Sequence, residues 1–264
     1  MTAPLLLLGS TGRLGQAFRR LARDGHWPGP EPVWHGRSGA VDLSWDLAEP
    51  PPRDLPEIGG IVCLAGATSA PFEANETAAR AAERLAERLD VPCLALSSVA
   101  VYGSAPGPWL ESAEPSPDSG YGLSKRAMER ALRHATALRL GNVAGCDALF
   151  GATARGPVTL DRFADGSAPR RAMIGPLTLA RALESLGRRG DLPPILNLAQ
   201  PGSVAMDDLL RAAGHPFDWR PAPEAALRDT PLDTTRAETL LDLPAGSAMQ
   251  LVSEARLAGW SPAS

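Results

Sequence analysis

The sequence predicts an α/β protein with a doubly wound, Rossmann-type parallel sheet and a small C-terminal lobe. Three observations carry that expectation. Short, wholly apolar runs alternate with amphipathic stretches through the first half, the pattern of strands buried on both faces. The first run, Leu5-Leu-Leu-Leu8, passes directly into Gly9-Ser-Thr-Gly12-Arg13-Leu14-Gly15, a glycine turn that opens a helix. The same alternation resumes at 177–199 after an interruption.

In order, a strand at 4–8 precedes a helix over 12–24 that turns Leu14, Phe18 and Leu21 inward. Strands follow at 33–35, 41–43 and 60–65. A long helix spans 71–89, with Ala78, Ala82, Leu85 and Leu89 on one side. A strand at 91–97, a helix at 120–134 and a strand at 137–140 come next. Helix 177–186 and strand 195–199 repeat the unit. Two stretches, 146–173 and 200–264, are rich in proline, glycine and charge and read as irregular. The expected division is a dinucleotide-binding domain (1–145 with about 174–199) and a substrate lobe (about 146–173 with 200–264). Such a lobe sits over the C-terminal edge of the sheet, where open α/β sheets bind ligands.

Composition narrows the classes. The 264 residues carry a net charge of −4 with no basic cluster, so nucleic acid is not an expected partner. Cys63, Cys93 and Cys146 are widely spaced and fit neither a disulfide framework nor a zinc pattern. His26, His35, His134 and His215 lack metal-ligand spacing, so no metal site is expected. No run reaches transmembrane length and the first residues lack a basic n-region; the expectation is a cytoplasmic protein without a membrane partner.

One residue stands apart. Of 26 basic residues only Lys125 is lysine, and it follows Tyr121, one of two tyrosines, by four positions. Arginine does not titrate in proteins, whereas a lysine ammonium is a compact donor able to sit under a phenol. Leu123, Ala127, Met128, Ala131 and Leu132 recur at helical spacing around the pair. Residues four apart share a helix face, so the Tyr121 hydroxyl and the Lys125 ammonium can converge, and a nearby cation lowers a phenol's pKa toward acid/base work.

The glycine turn suits a dinucleotide: its spacing allows a tight turn and close approach of backbone to pyrophosphate at a helix N-terminus. Gly9, Thr11, Gly12, Arg13, Leu14 and Gly15 are its candidate residues. After the second strand stands His35-Gly36-Arg37-Ser38, with no acid to bind a ribose 2′-hydroxyl. Arg37, with Arg13, therefore favours NADP over NAD, because an arginine there accommodates a 2′-phosphate.

In order and spacing these features resemble the extended short-chain dehydrogenase/reductase superfamily, in its NAD-dependent epimerase/dehydratase branch. The resemblance covers nearly all of 3–145 and continues more weakly to about 200. The turn has that branch's G-x-x-G-x-x-G spacing. Trp45-Asp46-Leu47 resembles the pair beside the adenine, and Leu64-Ala65-Gly66-Ala67 the segment passing along the cofactor. Asn75 stands in the place of the asparagine of the following helix. Leu96-Ser-Ser98-Val-Ala-Val-Tyr102-Gly103 and Leu138-Arg139-Leu-Gly-Asn142-Val-Ala-Gly145 resemble two further stretches of the family.

By this resemblance Ser98 bonds the reacting oxygen, Tyr121 is the acid/base, and Lys125 lowers its pKa and holds the nicotinamide ribose. Asn142 and Arg171 are implied substrate contacts, Arg171 where sugar-nucleotide enzymes hold a diphosphate. A homodimer through helices 71–89 and 120–134 is implied as well. The family's dehydratases place an Asp-Glu pair where Val99 and Ala100 stand, which disfavours dehydration here. The leading expectation is an NAD(P)-dependent oxidoreductase or epimerase acting on a hydroxyl or carbonyl of a sugar or nucleotide-sugar. Beside it stand an NADPH-dependent reductase of a small carbonyl metabolite and a non-catalytic dinucleotide-sensing protein.

Overall fold

The computed structural model describes residues 2–69, 72–104 and 107–262. In chain order its elements begin with β1 (Leu5–Leu8), α1 (Arg13–Arg23), β2 (Val33–Gly36), β3 (Leu43–Ser44) and β4 (Gly60–Cys63). Next come α2 (Glu73–Leu89), β5 (Cys93–Ser98), α3 (Gly120–Ala131) and β6 (Thr136–Leu140). Then follow β7 (Asn142–Val143), α4 (Ala148–Ala152), β8 (Val158–Arg162), β9 (Arg170–Arg171), β10 (Met173–Ile174) and α5 (Pro176–Leu186). The chain closes with β11 (Ile195–Leu198), β12 (Val204–Ala205), α6 (Met206–Ala213), β13 (Phe217–Pro221), β14 (Asp229–Thr230), α7 (Thr235–Leu240) and α8 (Ala248–Leu257). The start expected for α2, at Pro71, lies outside the described residues.

Seven parallel strands form the central sheet in the order β11-β6-β5-β4-β1-β2-β3. Strand order reverses between β1 and β4, which opens a crevice at their C-terminal ends. Leu5 to Leu8 are wholly enclosed because β1 is central and covered on both faces. On one face Phe18 and Leu21 of α1 pack with Leu179 and Leu183 of α5. On the other, Ala78, Ala82 and Leu85 of α2 pack with Met128 of α3. Each enclosed Phe or Leu contributes about 1.5–3 kcal/mol relative to exposure.

The irregular stretches proved ordered. A third cluster joins Leu149, Phe150 and Val158 to Leu209 and Leu210 of α6 and to Leu251 and Val252 of α8. Strand β8 pairs in parallel with β13 over five residues each. From α8, Glu254 reaches back to the sheet domain, accepting from the Thr178 N–H at 2.8 Å and its hydroxyl at 2.7 Å. That carboxylate caps the start of α5, where Gly175 supplies no side-chain cap.

Helix α3 ends at Ala131, three residues before the expected stop at 134. The cause is tertiary: Glu83 of α2 accepts through Oε1 from the N–H groups of Arg133, His134 and Ala135 at 2.7–2.9 Å. These bonds hold the Glu83 carboxyl below its usual range against the opposing effect of burial, which is the largest single influence. A carboxyl with a depressed folded pKa stabilises above its unfolded pKa and loses that contribution as pH falls through the folded value. Glu83→Gln should therefore cost about 1–3 kcal/mol at neutral pH and less in acid, as urea melts at the two pH values would show. Equal losses at both would mean that the charge contributes nothing.

Candidate active site

Strand β5 delivers Ser98 to the C-terminal edge of the sheet, in register with Leu140 of β6. There Ser98 starts a tight turn over Val99–Tyr102, its hydroxyl accepting from the Ala100 N–H at 3.2 Å. Helix α3 begins beside it, capped by the Ser119 hydroxyl, which accepts from the Gly122 N–H at 3.1 Å. At its second residue, the Tyr121 phenol lies beside the Ser98 side chain, which acts to lower its pKa. Lys125, only 5 % exposed, extends under the tyrosine, with Nζ 5.8 Å from the ring centroid. Its ammonium donates to the Leu96 carbonyl at 2.8 Å. The structure brings Ser98, Tyr121 and Lys125 together at the end of β5.

The expected lowering of the Tyr121 pKa by Lys125 is not found. Burial raises the phenol, and only the Ser98 bond pulls it back. The same burial depresses Lys125 to about 8, against weaker support from the charges of Cys63 and Glu129. The ammonium therefore loses its proton before the phenol ionises, and no cation remains to favour the ground-state phenolate. Below about pH 8 the pair is phenol plus ammonium, a proton donor with a cation behind it.

The crevice at the switch point is a cleft of about 500 Å³ lined by Gly9, Thr11, Gly12, Arg37, Asp46, Leu47, Leu64, Ala65 and Gly66, among others. Gly9 adopts φ +85, and a Cβ there would lie 2.6 Å from the Ala65 backbone, so only glycine lets the turn meet the β4 loop. Gly15 instead serves packing: a Cβ would lie 2.4 Å from Ser10 Cα. Leu14 packs on the sheet core. Gly12 supplies no side-chain cap to α1, so its first-turn N–H groups remain available to an anion. A glycine turn, an uncapped helix start and a cleft of this size beside them have room for a dinucleotide.

Arg37 is exposed at the rim of this cleft. Arg13 departs from expectation: its guanidinium donates to the Cys146 carbonyl at 2.9 Å and lines a separate groove with Arg19, Arg20 and Trp260. This bond ties α1 to the segment just before α4. Asp46 turns its Oδ1 to the Ala48 N–H at 2.9 Å, shaping the loop that presents Leu47. Asn75 is structural, exchanging hydrogen bonds with the backbone of Ala67 and donating to the Ser124 hydroxyl at 2.8 Å. Arg171 donates to the Arg170 and Leu227 carbonyls at 2.7 and 3.2 Å. Asn142 lies beside the Asp147 carboxyl.

Three supporting groups escaped the sequence reading. His35 accepts through Nδ1 from the Gly9 N–H at 3.2 Å, and Nε2 contacts the Trp45 carbonyl at 3.1 Å, so it fixes the glycine turn against the loop at Trp45. Glu129 and Arg139 form an enclosed ion pair at 2.8 Å. Arg139 also donates to the Tyr102 hydroxyl at 3.0 Å, which donates to Asn197 at 2.7 Å; Tyr102 is thereby consumed in packing. Glu129 follows Lys125 by four residues, the spacing that would have revealed it.

Residues 63–166 match the model of the NAD dependent epimerase/dehydratase family. No curated protein matches the sequence significantly. Among solved structures, UDP-N-acetylglucosamine 4-epimerase from Bacillus cereus is similar with TM-score 0.76 at 17% identity, over 97% of this chain and 99% of that one. MoeE5 in complex with UDP-glucose and NAD follows at 0.72 and 21%, over 96% and 98%. The dTDP-glucose 4,6-dehydratase DesIV from Streptomyces venezuelae, with NAD and TYD bound, gives 0.72 and 18%, over 96% of each chain. At such identities the likeness shows a shared fold. Residues 63–166 thus resemble the NAD dependent epimerase/dehydratase family, within a chain that shares its fold with these solved structures.

Proposed function

We propose that this protein is an NAD(P)-dependent oxidoreductase or epimerase acting on a hydroxyl or carbonyl of a sugar or nucleotide-sugar. The observation that carries the reading is the Tyr121 phenol beside Ser98 at the C-terminal sheet edge, with Lys125 enclosed behind them. The neighbours' bound UDP-glucose, TYD and NAD support the substrate class and the cofactor type. Gly9, Thr11, Gly12, Asp46, Leu47 and the 64–66 segment would hold the dinucleotide, which when bound exchanges hydride with the substrate. Ser98 bonds the reacting oxygen. Tyr121 gives its proton to that oxygen in reduction and takes it back in oxidation. Lys125 holds the ribose and steadies charge on the phenol. Val99 and Ala100 offer no acid or base beside Ser98, so epimerisation or reduction is favoured over dehydration.

NADP is the favoured cofactor because Arg37 stands free at the rim of the cleft and no acid occupies that strand end. Arg37→Ser should weaken NADPH binding about tenfold and leave NADH unchanged, by fluorescence titration. Equal affinities for the two in the wild type would remove the argument. A second reading, reduction of a small carbonyl metabolite, is favoured by Arg171, whose Nη1 is already occupied by backbone carbonyls. A homodimer through α2 and α3 and a cytoplasmic setting belong to the same proposal; Leu123 of α3 is 54% exposed.

The deciding experiment monitors NADPH oxidation with a panel of keto-sugars, nucleotide-keto-sugars and simple carbonyls, beside thermal shifts with NADPH, NADH and UDP-glucose. Cofactor binding with no turnover anywhere on the panel would leave a dinucleotide sensor.

A further inference from the structure

His35 joins the two walls of the dinucleotide cleft. It is the third residue of β2, is 1 % exposed, and lines the cleft with Gly9, Asp46 and Leu47. Three bonds tie it to the glycine turn. Its carbonyl accepts from the Ser10 N–H at 2.8 Å and from the Ser10 hydroxyl at 2.9 Å, and its Nδ1 accepts from the Gly9 N–H at 3.2 Å. On the other side Nε2 meets the Trp45 carbonyl at 3.1 Å, and the His35 and Trp45 ring centroids are 3.9 Å apart. Trp45 leads directly into Asp46 and Leu47, which line the cleft.

These partners fix the state of the ring. A backbone N–H can only donate, so Nδ1 must present a lone pair; a carbonyl can only accept, so Nε2 must carry the proton. The neutral Nε2–H tautomer alone satisfies both. An imidazolium would set an N–H at Nδ1 against the Gly9 N–H, donor against donor. The turn has little room to realign, because Gly9 is held at φ +85 so close to the Ala65 backbone that a Cβ would lie 2.6 Å from it. Burial holds His35 below its ordinary value, against the Trp45 carbonyl and the Asp46 charge, so the ring is neutral at neutral pH. Asp46 acts on it from the loop after β3. Arg37, just past β2, and Glu73 of α2 line the same cleft, and Arg19 of α1 donates to the Ser10 hydroxyl at 3.4 Å. The neighbouring β1 is all leucine.

We infer that His35 is a positioning residue of the dinucleotide site, whose neutral Nε2–H form alone holds the glycine turn and the 45–47 loop at the separation the ligand needs. The inference rests on the dinucleotide reading of the preceding subsection. A ligand that spans both walls loses contacts on one of them when they part. With the folded pKa depressed, the arrangement is intact above the ordinary histidine value and is lost as pH falls through the folded one.

The test is isothermal titration of the full chain with NADP and with NAD, from about pH 8 down to about pH 5. Wild-type affinity should be level near neutral pH and fall about tenfold in acid, the effect of one backbone N–H left without its acceptor. In His35→Asn the side-chain oxygen takes the place of Nδ1 and does not titrate. That variant should bind within about threefold of the wild type at neutral pH and keep its affinity in acid. His35→Leu offers no acceptor and should bind about tenfold more weakly at every pH. Any titration of the ligand itself is common to all three proteins. Nitrogen NMR of the wild-type ring, assigned by the signal lost in His35→Asn, should show the Nε2–H tautomer. The same acid loss in wild type and His35→Asn, His35→Leu binding like the wild type, or an Nδ1–H ring overturns the positioning role while the dinucleotide reading stands. Failure of both dinucleotides to bind the wild type at any pH overturns that reading, and the inference with it.

Discussion

Tyr121→Phe should abolish turnover while leaving dinucleotide binding intact. The substitution removes one oxygen, which lies beside Ser98, and keeps the ring that faces the Lys125 ammonium. The stability cost is one neutral hydrogen bond, about 1 kcal/mol, so the variant should fold. The catalytic cost is larger, because a positioned proton carrier contributes about 10²–10⁴-fold. The other tyrosine cannot substitute, since the Tyr102 hydroxyl is fixed between Arg139 and Asn197. The measurement is steady-state NADPH oxidation on the best panel substrate, with cofactor affinity measured in parallel. Retention of more than a tenth of wild-type activity would mean that water or another side chain carries the proton. Loss of cofactor affinity with activity would make Tyr121 a structural residue. Burial raises this phenol, so its proton stays in place through neutral pH, which suits reduction of a carbonyl more than oxidation of an alcohol.

The half of the fold that repeats a strand-helix unit was legible because each unit is periodic within its own length. Strands β1, β4, β5 and β6 fall within two residues of where their apolar runs placed them. The lobe was not legible, since its order comes from distant partners: β8 pairs with β13 across a long intervening segment, with Val158 opposite Phe217. Helices α6 and α8 are short, and their apolar residues matter only because they meet in one cluster. The early end of α3 has the same origin, a carboxylate from α2 that no local window contains. Within the site, spacing placed Tyr121 over Lys125, and the family resemblance supplied Ser98. The bond from Arg13 to the Cys146 carbonyl was not legible, because sequence gives a residue's position on a turn and not the direction of its side chain.

Lys125→Arg should cripple turnover although it conserves charge. The lysine ammonium occupies a close-fitting site: it donates to the Leu96 carbonyl, and a Cβ added to Gly66 would lie only 3.1 Å from Nζ. Glu129, on the same helix face, is fixed by its enclosed pair with Arg139 and cannot swing aside. A planar guanidinium overfills this space, at a cost of about 1–3 kcal/mol, and displaces either the 64–66 segment or the tyrosine. Charge matters as well. An ammonium roughly 6 Å from a developing phenolate is worth about 3 kcal/mol at an effective dielectric near 20, roughly a hundredfold in rate. That support exists only while Lys125 holds its proton, which it loses as pH rises through about 8. The wild-type reduction rate should therefore decline above about pH 8. In Lys125→Met the rate should be about a hundredfold lower and lack that alkaline limb. In Lys125→Arg the limb should also vanish, because arginine does not titrate, while the rate stays low from misplacement. A near-normal rate in Lys125→Arg would show that any cation suffices there, and would remove the physical reason for a single lysine in an arginine-rich chain.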